Sequence, residues 1–193
     1  MKINEQELHG NWKEGWALDL HTLSSIPTGD GKFETTRTEV GEALYQLKYH
    51  SDRSKIQPLA ETACQFMQTR LVTPDLHAII PVPPSNLSRS FQPVLELARE
   101  IGRRLNLPVF NNYLLKTRST EALKGIDDPE TRRRELQGAF QVKDNSLAGR
   151  NILLFDDLFR SGETLTEITD VLYNTGRVQN VYVLTITKTR SKR

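Results

Sequence analysis

The chain has 193 residues, of which 26 are Lys or Arg and 24 are Asp or Glu, giving a formal net charge of +2. That length predicts one domain, or one domain with a small appendage, able to bury its own core without disulfides or metals. The near-neutral balance excludes any argument for nucleic-acid binding from overall charge, and no apolar run is long enough to span a bilayer. One cysteine and four scattered histidines make no metal-ligand spacing. The opening MKINEQELHGNWKEGW lacks a signal-peptide core, which predicts a cytoplasmic protein.

Residues 10–26 read as extended, with Trp12, Trp16, Leu18 and Leu20 alternating with polar residues. IPTGDGKFETTRT follows, an exposed hairpin or loop by its Gly, Pro and Thr content. Helices are predicted over 39–49 and 56–71, the second carrying Cys64 as a small core residue. A strand over 78–82 and a helix over 92–105 come next, with Val94, Ala98, Ile101 and Leu105 on one helical face. Short strands are expected near 108–110 and 113–116. The charged stretch 117–136 has few apolar residues, a strand pattern resumes over 138–142, and a last strand covers 181–187. Strands alternating with helices predict an α/β protein with a mostly parallel central sheet covered on both faces. Its ligand should sit at the carboxyl ends of the strands, where 81–85 and 156–164 emerge.

NILLFDDLFRSGETL, residues 151–165, carries the most chemistry. Ile152, Leu153, Leu154 and Phe155 read as a buried parallel strand ending in Asp156 and Asp157. The loop LFRSGET follows, and then Leu165, Ile168, Val171 and Leu172 recur at helical spacing. Backbone N–H groups at a helix N-terminus, with the hydroxyls of Ser161 and Thr164, can surround a phosphate, and Gly162 permits close backbone approach. Two carboxylates can accept hydrogen bonds from a vicinal diol such as that of a ribose. The plain alternative is a buried strand and a capped helix with solvated acids. A P-loop is excluded, because Gly31-Lys32 is followed by Phe33, and no GxGxxG occurs.

Two further segments bear on anion binding. The turn after Val82, with Ser85 and Arg89 close behind, can present N–H groups and a cation to an anion, or can simply end a strand. The segment 116–136 carries Lys116, Arg118, Lys124, Arg132, Arg133 and Arg134. It reads either as a solvated face or as a long loop of the kind that closes over an active site. Lys48 and Arg53 stand at the end of the first helix.

The stretch 151–165 resembles the signature for 5-phosphoribosyl-1-pyrophosphate (PRPP) in type I phosphoribosyltransferases, with Arg160 where a Thr or Ser is usual. Three other segments resemble the ComF-like branch of that family. These are IIPVPPSNLSRSFQPVLELAREIGRRLNLPV from Ile79, LLKTRSTEALKGIDDPETRRRELQGAF from Leu114, and EALYQLKY over 42–49. The resemblance covers roughly residues 40–190. It implies a type I phosphoribosyltransferase fold in 38–193, with a flexible loop at 116–136 and a hood-like extended segment at 1–37. It also implies transfer of a phosphoribosyl group to an acceptor with loss of pyrophosphate. In that scheme Asp156 and Asp157 are the catalytic candidates, contacting the ribose diol and, through water, Mg²⁺. Arg160, Ser161, Gly162, Glu163 and Thr164 form the 5-phosphate loop, and Lys48, Ser85, Arg89, Arg118 and Arg132 are pyrophosphate candidates. The family also includes proteins linked to DNA uptake. Single-stranded DNA, a further copy of the chain, and a regulator that senses PRPP without transfer are therefore the other expectations.

Overall fold

A computed structural model of the chain describes residues 1–84, 91–118 and 128–190, apart from the side chains at 129, 132 and 133. A five-stranded sheet forms its centre. β1 (Gln6–Glu7) lies antiparallel to β2 (Glu14–Leu20), and β2 is followed in space by β9 (Asn180–Lys188), β8 (Asn151–Phe159) and β5 (Ala78–Pro81), all parallel. Two-stranded ribbons of β3 (Thr22–Pro27) with β4 (Phe33–Arg37), and of β6 (Leu114–Lys116) with β7 (Phe140–Val142), stand beside the sheet. Of the segment 1–37, residues 6–7 and 14–20 therefore belong to the central sheet, and the remainder of its regular structure is the β3–β4 hairpin.

Both faces of the sheet are covered, which is why residues 78–81 of β5, 152–155 of β8 and 181–184 of β9 form unbroken buried runs on both faces. Strand alternation sends Leu153 and Phe155 of β8 to one face. There they meet α1 (Glu39–Tyr49), α2 (Ile56–Gln68) and α3 (Pro93–Leu105) through residues such as Leu44, Leu59 and Ile101. Ile152 and Leu154 face the other way, towards α5 (Glu163–Asn174) and the β6–β7 ribbon. Leu136, at the end of α4 (Pro129–Leu136), joins that second cluster. Ile152, Leu153, Leu154 and Phe155 have no exposed surface at all. At about 1.5–3 kcal/mol per fully buried apolar side chain, this stretch is a rigid post for whatever β8 carries at its tip.

Several element ends differ from those the sequence predicts. The α2 helix stops at Gln68 rather than Leu71, with Thr69 closing its last turn and Leu71 almost fully exposed. Residues 108–110 form no strand. Val109 makes a single parallel bridge to Ile79, because Asn106 takes a left-handed conformation (φ +56°) that turns the chain sharply out of α3. No helix among the described residues is long and apolar enough to cross a membrane.

Candidate functional site

β8 does not end at its acid pair. Asp156 pairs with Thr185, Leu158 with Thr187 and Phe159 with Lys188 of β9, so both acids sit inside the strand. Adjacent strand residues point to opposite faces, and the two carboxylates part company accordingly. Asp157 faces α1, where its Oδ2 lies 2.7 Å from Lys48 Nζ in an ion pair whose side chains are only 11% and 18% exposed. Asp156 lies on the α5 side and forms the floor of a pocket of about 100 Å³ with Leu158, Phe159, Arg160, Ser161, Gly162, Glu163, Thr164 and Leu165. Its carboxyl group is partly buried there. Burial, and secondarily the charge of Asp157, pushes it up to about 7, against the smaller opposing influence of Lys48 and Arg160.

The loop above Asp156 is shaped by one residue. Gly162 has φ +89°, and a Cβ there would lie 3.0 Å from the Phe159 ring. Only glycine takes that conformation readily, and it delivers the chain directly into α5. The first backbone N–H that reaches back within the helix is that of Thr166, 2.9 Å from the Gly162 carbonyl. The N–H groups of 163–165 precede it and have no intrahelical acceptor, the arrangement that suits an anion. Phe159 is held from behind by the edge of Trp12, with ring centroids 6.3 Å apart, and Trp12 Nε1 donates to the Leu8 carbonyl. Lys188 stands over the same Phe159 ring.

The structure brings Asp156 and the five predicted loop residues 160–164 into one pocket, and it sets Lys48 on the opposite side of β8 as the partner of Asp157. Arg118 is elsewhere: its guanidinium donates to the carbonyls of Glu135 (2.7 Å) and Gln137 (2.8 Å), across the end of α4. Ser85 and Arg89 lie outside the described residues, as does the side chain of Arg132 and the middle of the predicted loop. The turn after β5 does start beside the acid pair of β8, since Val82 N–H donates to the Phe155 carbonyl.

Sequence reasoning missed four neighbours of the site. His21, just past the end of β2, hydrogen-bonds Thr187 Oγ1 at 3.2 Å. Burial lowers its pKa, helped by the charges of Arg37 and Lys48. Arg37 is braced between Glu42 (3.2 Å) and the face of Tyr45 (3.6 Å to its centroid). Thr185 and Thr187 are fully buried polar residues in β9, next to β8. The signal was present in the pattern: two threonines, two residues apart, interrupt an otherwise apolar central strand. Among the described residues no group of three His, Cys, Asp or Glu side chains could form a metal cage.

No protein-family model matches the chain. It is 32% identical over 104 residues to Competence protein F of Haemophilus influenzae, a match spanning 51% of this chain and 45% of that one. The chain thus spans less than half the length of this curated relative. Among solved structures it resembles the adenine phosphoribosyl transferase of Trypanosoma brucei, crystallised with AMP, pyrophosphate and ribose-5-phosphate. The TM-score is 0.50 and the identity 10%, over 97% of this chain and 87% of that one. It also resembles the glutamine PRPP amidotransferase of B. subtilis, with a TM-score of 0.50 and 14% identity, over 81% of this chain and 34% of that one. With its mostly parallel sheet and flanking helices, the chain has the type I phosphoribosyltransferase fold and is related in sequence to Competence protein F.

Proposed function

We propose that this protein binds PRPP at the β8–α5 junction and transfers its phosphoribosyl group to an acceptor, releasing pyrophosphate. One observation carries the reading. On a phosphoribosyltransferase fold, Asp156 and residues 160–164 line a single pocket at the carboxyl end of β8, under a glycine whose φ is +89°. In this reading the N–H groups of the first α5 turn, Thr164 and Arg160 hold the 5-phosphate. Asp156 accepts hydrogen bonds from the ribose. Asp157 acts through Lys48: the pair fixes α1 against β8 and keeps a cation beside the site. The acceptor forms a bond to C1 of the ribose as the C1–O bond to pyrophosphate breaks, and the electron pair leaves with the pyrophosphate.

Mg²⁺ fits this site in one way. Two carboxylates on opposite faces of a strand are no cage, but Mg²⁺ is commonly held by one or two carboxylates together with substrate phosphates. Asp156 is the carboxylate available for that role, and the ion would neutralise charge on the leaving group. Ser85 and Arg89, on the neighbouring strand's exit turn, and Arg132 remain pyrophosphate candidates. Arg118, committed to α4, contributes by shaping the base of that segment.

The relatedness to Competence protein F favours a second reading, a role in competence in which the fold binds ligand without transfer. Incubation with PRPP, Mg²⁺ and a panel of amines and nucleobases, with pyrophosphate release as the readout, separates the two. Acceptor-dependent release supports transfer. PRPP binding with no release for any acceptor supports the second reading, and absence of binding defeats both.

A further inference from the structure

The phosphate pocket already contains an anion of its own. Gly162 precedes α5 with no side chain to cap it, and Glu163 supplies the acidic residue of the first turn. Ser161 Oγ donates a hydrogen bond to Glu163 Oε2, and both residues line the pocket together with Asp156 and Arg160. A serine hydroxyl has one proton to give. While it is committed to Glu163 it cannot also serve a phosphate oxygen. A carboxylate at the helix N-terminus further satisfies the positive end that would otherwise attract phosphate, and it repels a second anion at close range.

We propose that Glu163 is a specificity-determining residue of this site. Its carboxylate engages Ser161 in the free protein and must turn away before a phosphate monoester can enter, which sets a low affinity for the phosphate group alone. Ligands that bring further contacts, such as the pyrophosphate end of PRPP, overcome this charge, whereas free phosphate and simple phosphate esters do not. The proposal rests on the reading of the pocket as a phosphate site.

Calorimetric titration of ribose 5-phosphate into the wild-type protein, Glu163→Gln, Ser161→Ala and the double variant tests it, with near-ultraviolet circular dichroism confirming that each is folded. Glu163→Gln keeps the size of the side chain, removes its charge and leaves a weaker, neutral acceptor for the Ser161 hydroxyl. It should tighten binding about tenfold at low salt. The gain should shrink at about 1 M salt, where screening acts over roughly 3 Å. Ser161→Ala should cost little in the wild-type background and clearly more beside Glu163→Gln, a non-additivity expected of groups that share one proton. Unchanged or weaker binding by Glu163→Gln, or a gain indifferent to salt and additive with Ser161→Ala, overturns the proposal while leaving the phosphate site standing. Failure of both folded proteins, wild type and Glu163→Gln, to bind overturns the phosphate reading itself, and the inference with it.

Discussion

Lys48 and Asp157 are each stable where they are because of the other. Breaking a largely buried ion pair by removing one partner strands a charge, whereas removing both is far milder. Lys48→Met should therefore destabilise the protein by about 3 kcal/mol, and Lys48→Met with Asp157→Leu should recover most of that loss. Urea denaturation of the two single variants and the double variant measures the coupling; simple additivity would mean that the pair is not a unit. Asp156 makes the opposite kind of prediction. Its folded-state pKa is raised, so between pH 4 and pH 7 the native protein holds a proton that the unfolded chain has lost. That term lowers stability as pH rises through this window and then levels off. A carboxylate held below its ordinary pKa does the reverse, adding stability as pH rises. Asp156→Asn should gain stability relative to wild type as pH is raised from 4 to 7, by up to about 1.4 kcal/mol per pH unit. A flat difference across that range would show that burial does not govern Asp156. The acids themselves were legible in the sequence. Their separation onto two faces was not, because the change from apolar Phe155 to Asp156 looks like a strand end. Only the pairing of Asp156, Leu158 and Phe159 with β9, through the buried Thr185 and Thr187, carries the strand onward.

At the scale of elements, the junction from β8 into α5 depends on Gly162. A β-branched residue there would meet both an unfavourable backbone region and the Phe159 ring. Gly162→Val should cost about 1–3 kcal/mol of stability and abolish PRPP binding, whereas Arg160→Thr should weaken binding only modestly, since in the proposed site backbone N–H groups carry most of the phosphate contact. Equal damage from the two substitutions would mean that the side chain of Arg160, and not the loop backbone, holds the ligand. A second junction links α5 to the base of the segment 116–136. Glu167 of α5 accepts from the Gly138 N–H at 3.0 Å, and Thr117 and Arg118 bond to the carbonyls of 135–139. Glu167→Ala should speed amide exchange at Gly138 and Ala139 without changing that of Leu153 or Leu154; identical exchange in both proteins would remove this latch from the account. The basic character of the segment was plain in the sequence. That Arg118 turns back onto α4 was not, since a hydrogen bond to main-chain carbonyls leaves no pattern in side-chain order.

For the whole molecule, the helices and the strands around 78–82, 140–142, 151–155 and 181–187 followed from periodicity and from runs of fully buried residues. α1 spans the range read from sequence, and α3 ends at the residue expected. The place of β2 in the sheet could not be read in the same way. Its alternation of Trp16, Leu18 and Leu20 marks a strand, but its partner in β9 lies 168 residues further on, as with Ala17 and Thr185 in the pairing register. That pairing carries His21 to the carboxyl end of the sheet, next to the β8 tip. In the proposed function PRPP occupies the pocket between β8 and α5. Amide spectra of ¹⁵N-labelled protein titrated with PRPP and Mg²⁺ test it most directly. The largest shifts should fall at Asp156 and residues 160–165, with β1 and β7 nearly still. Saturating PRPP that moves no amide in 156–165, or that moves residues far from the β8 tip instead, would contradict it.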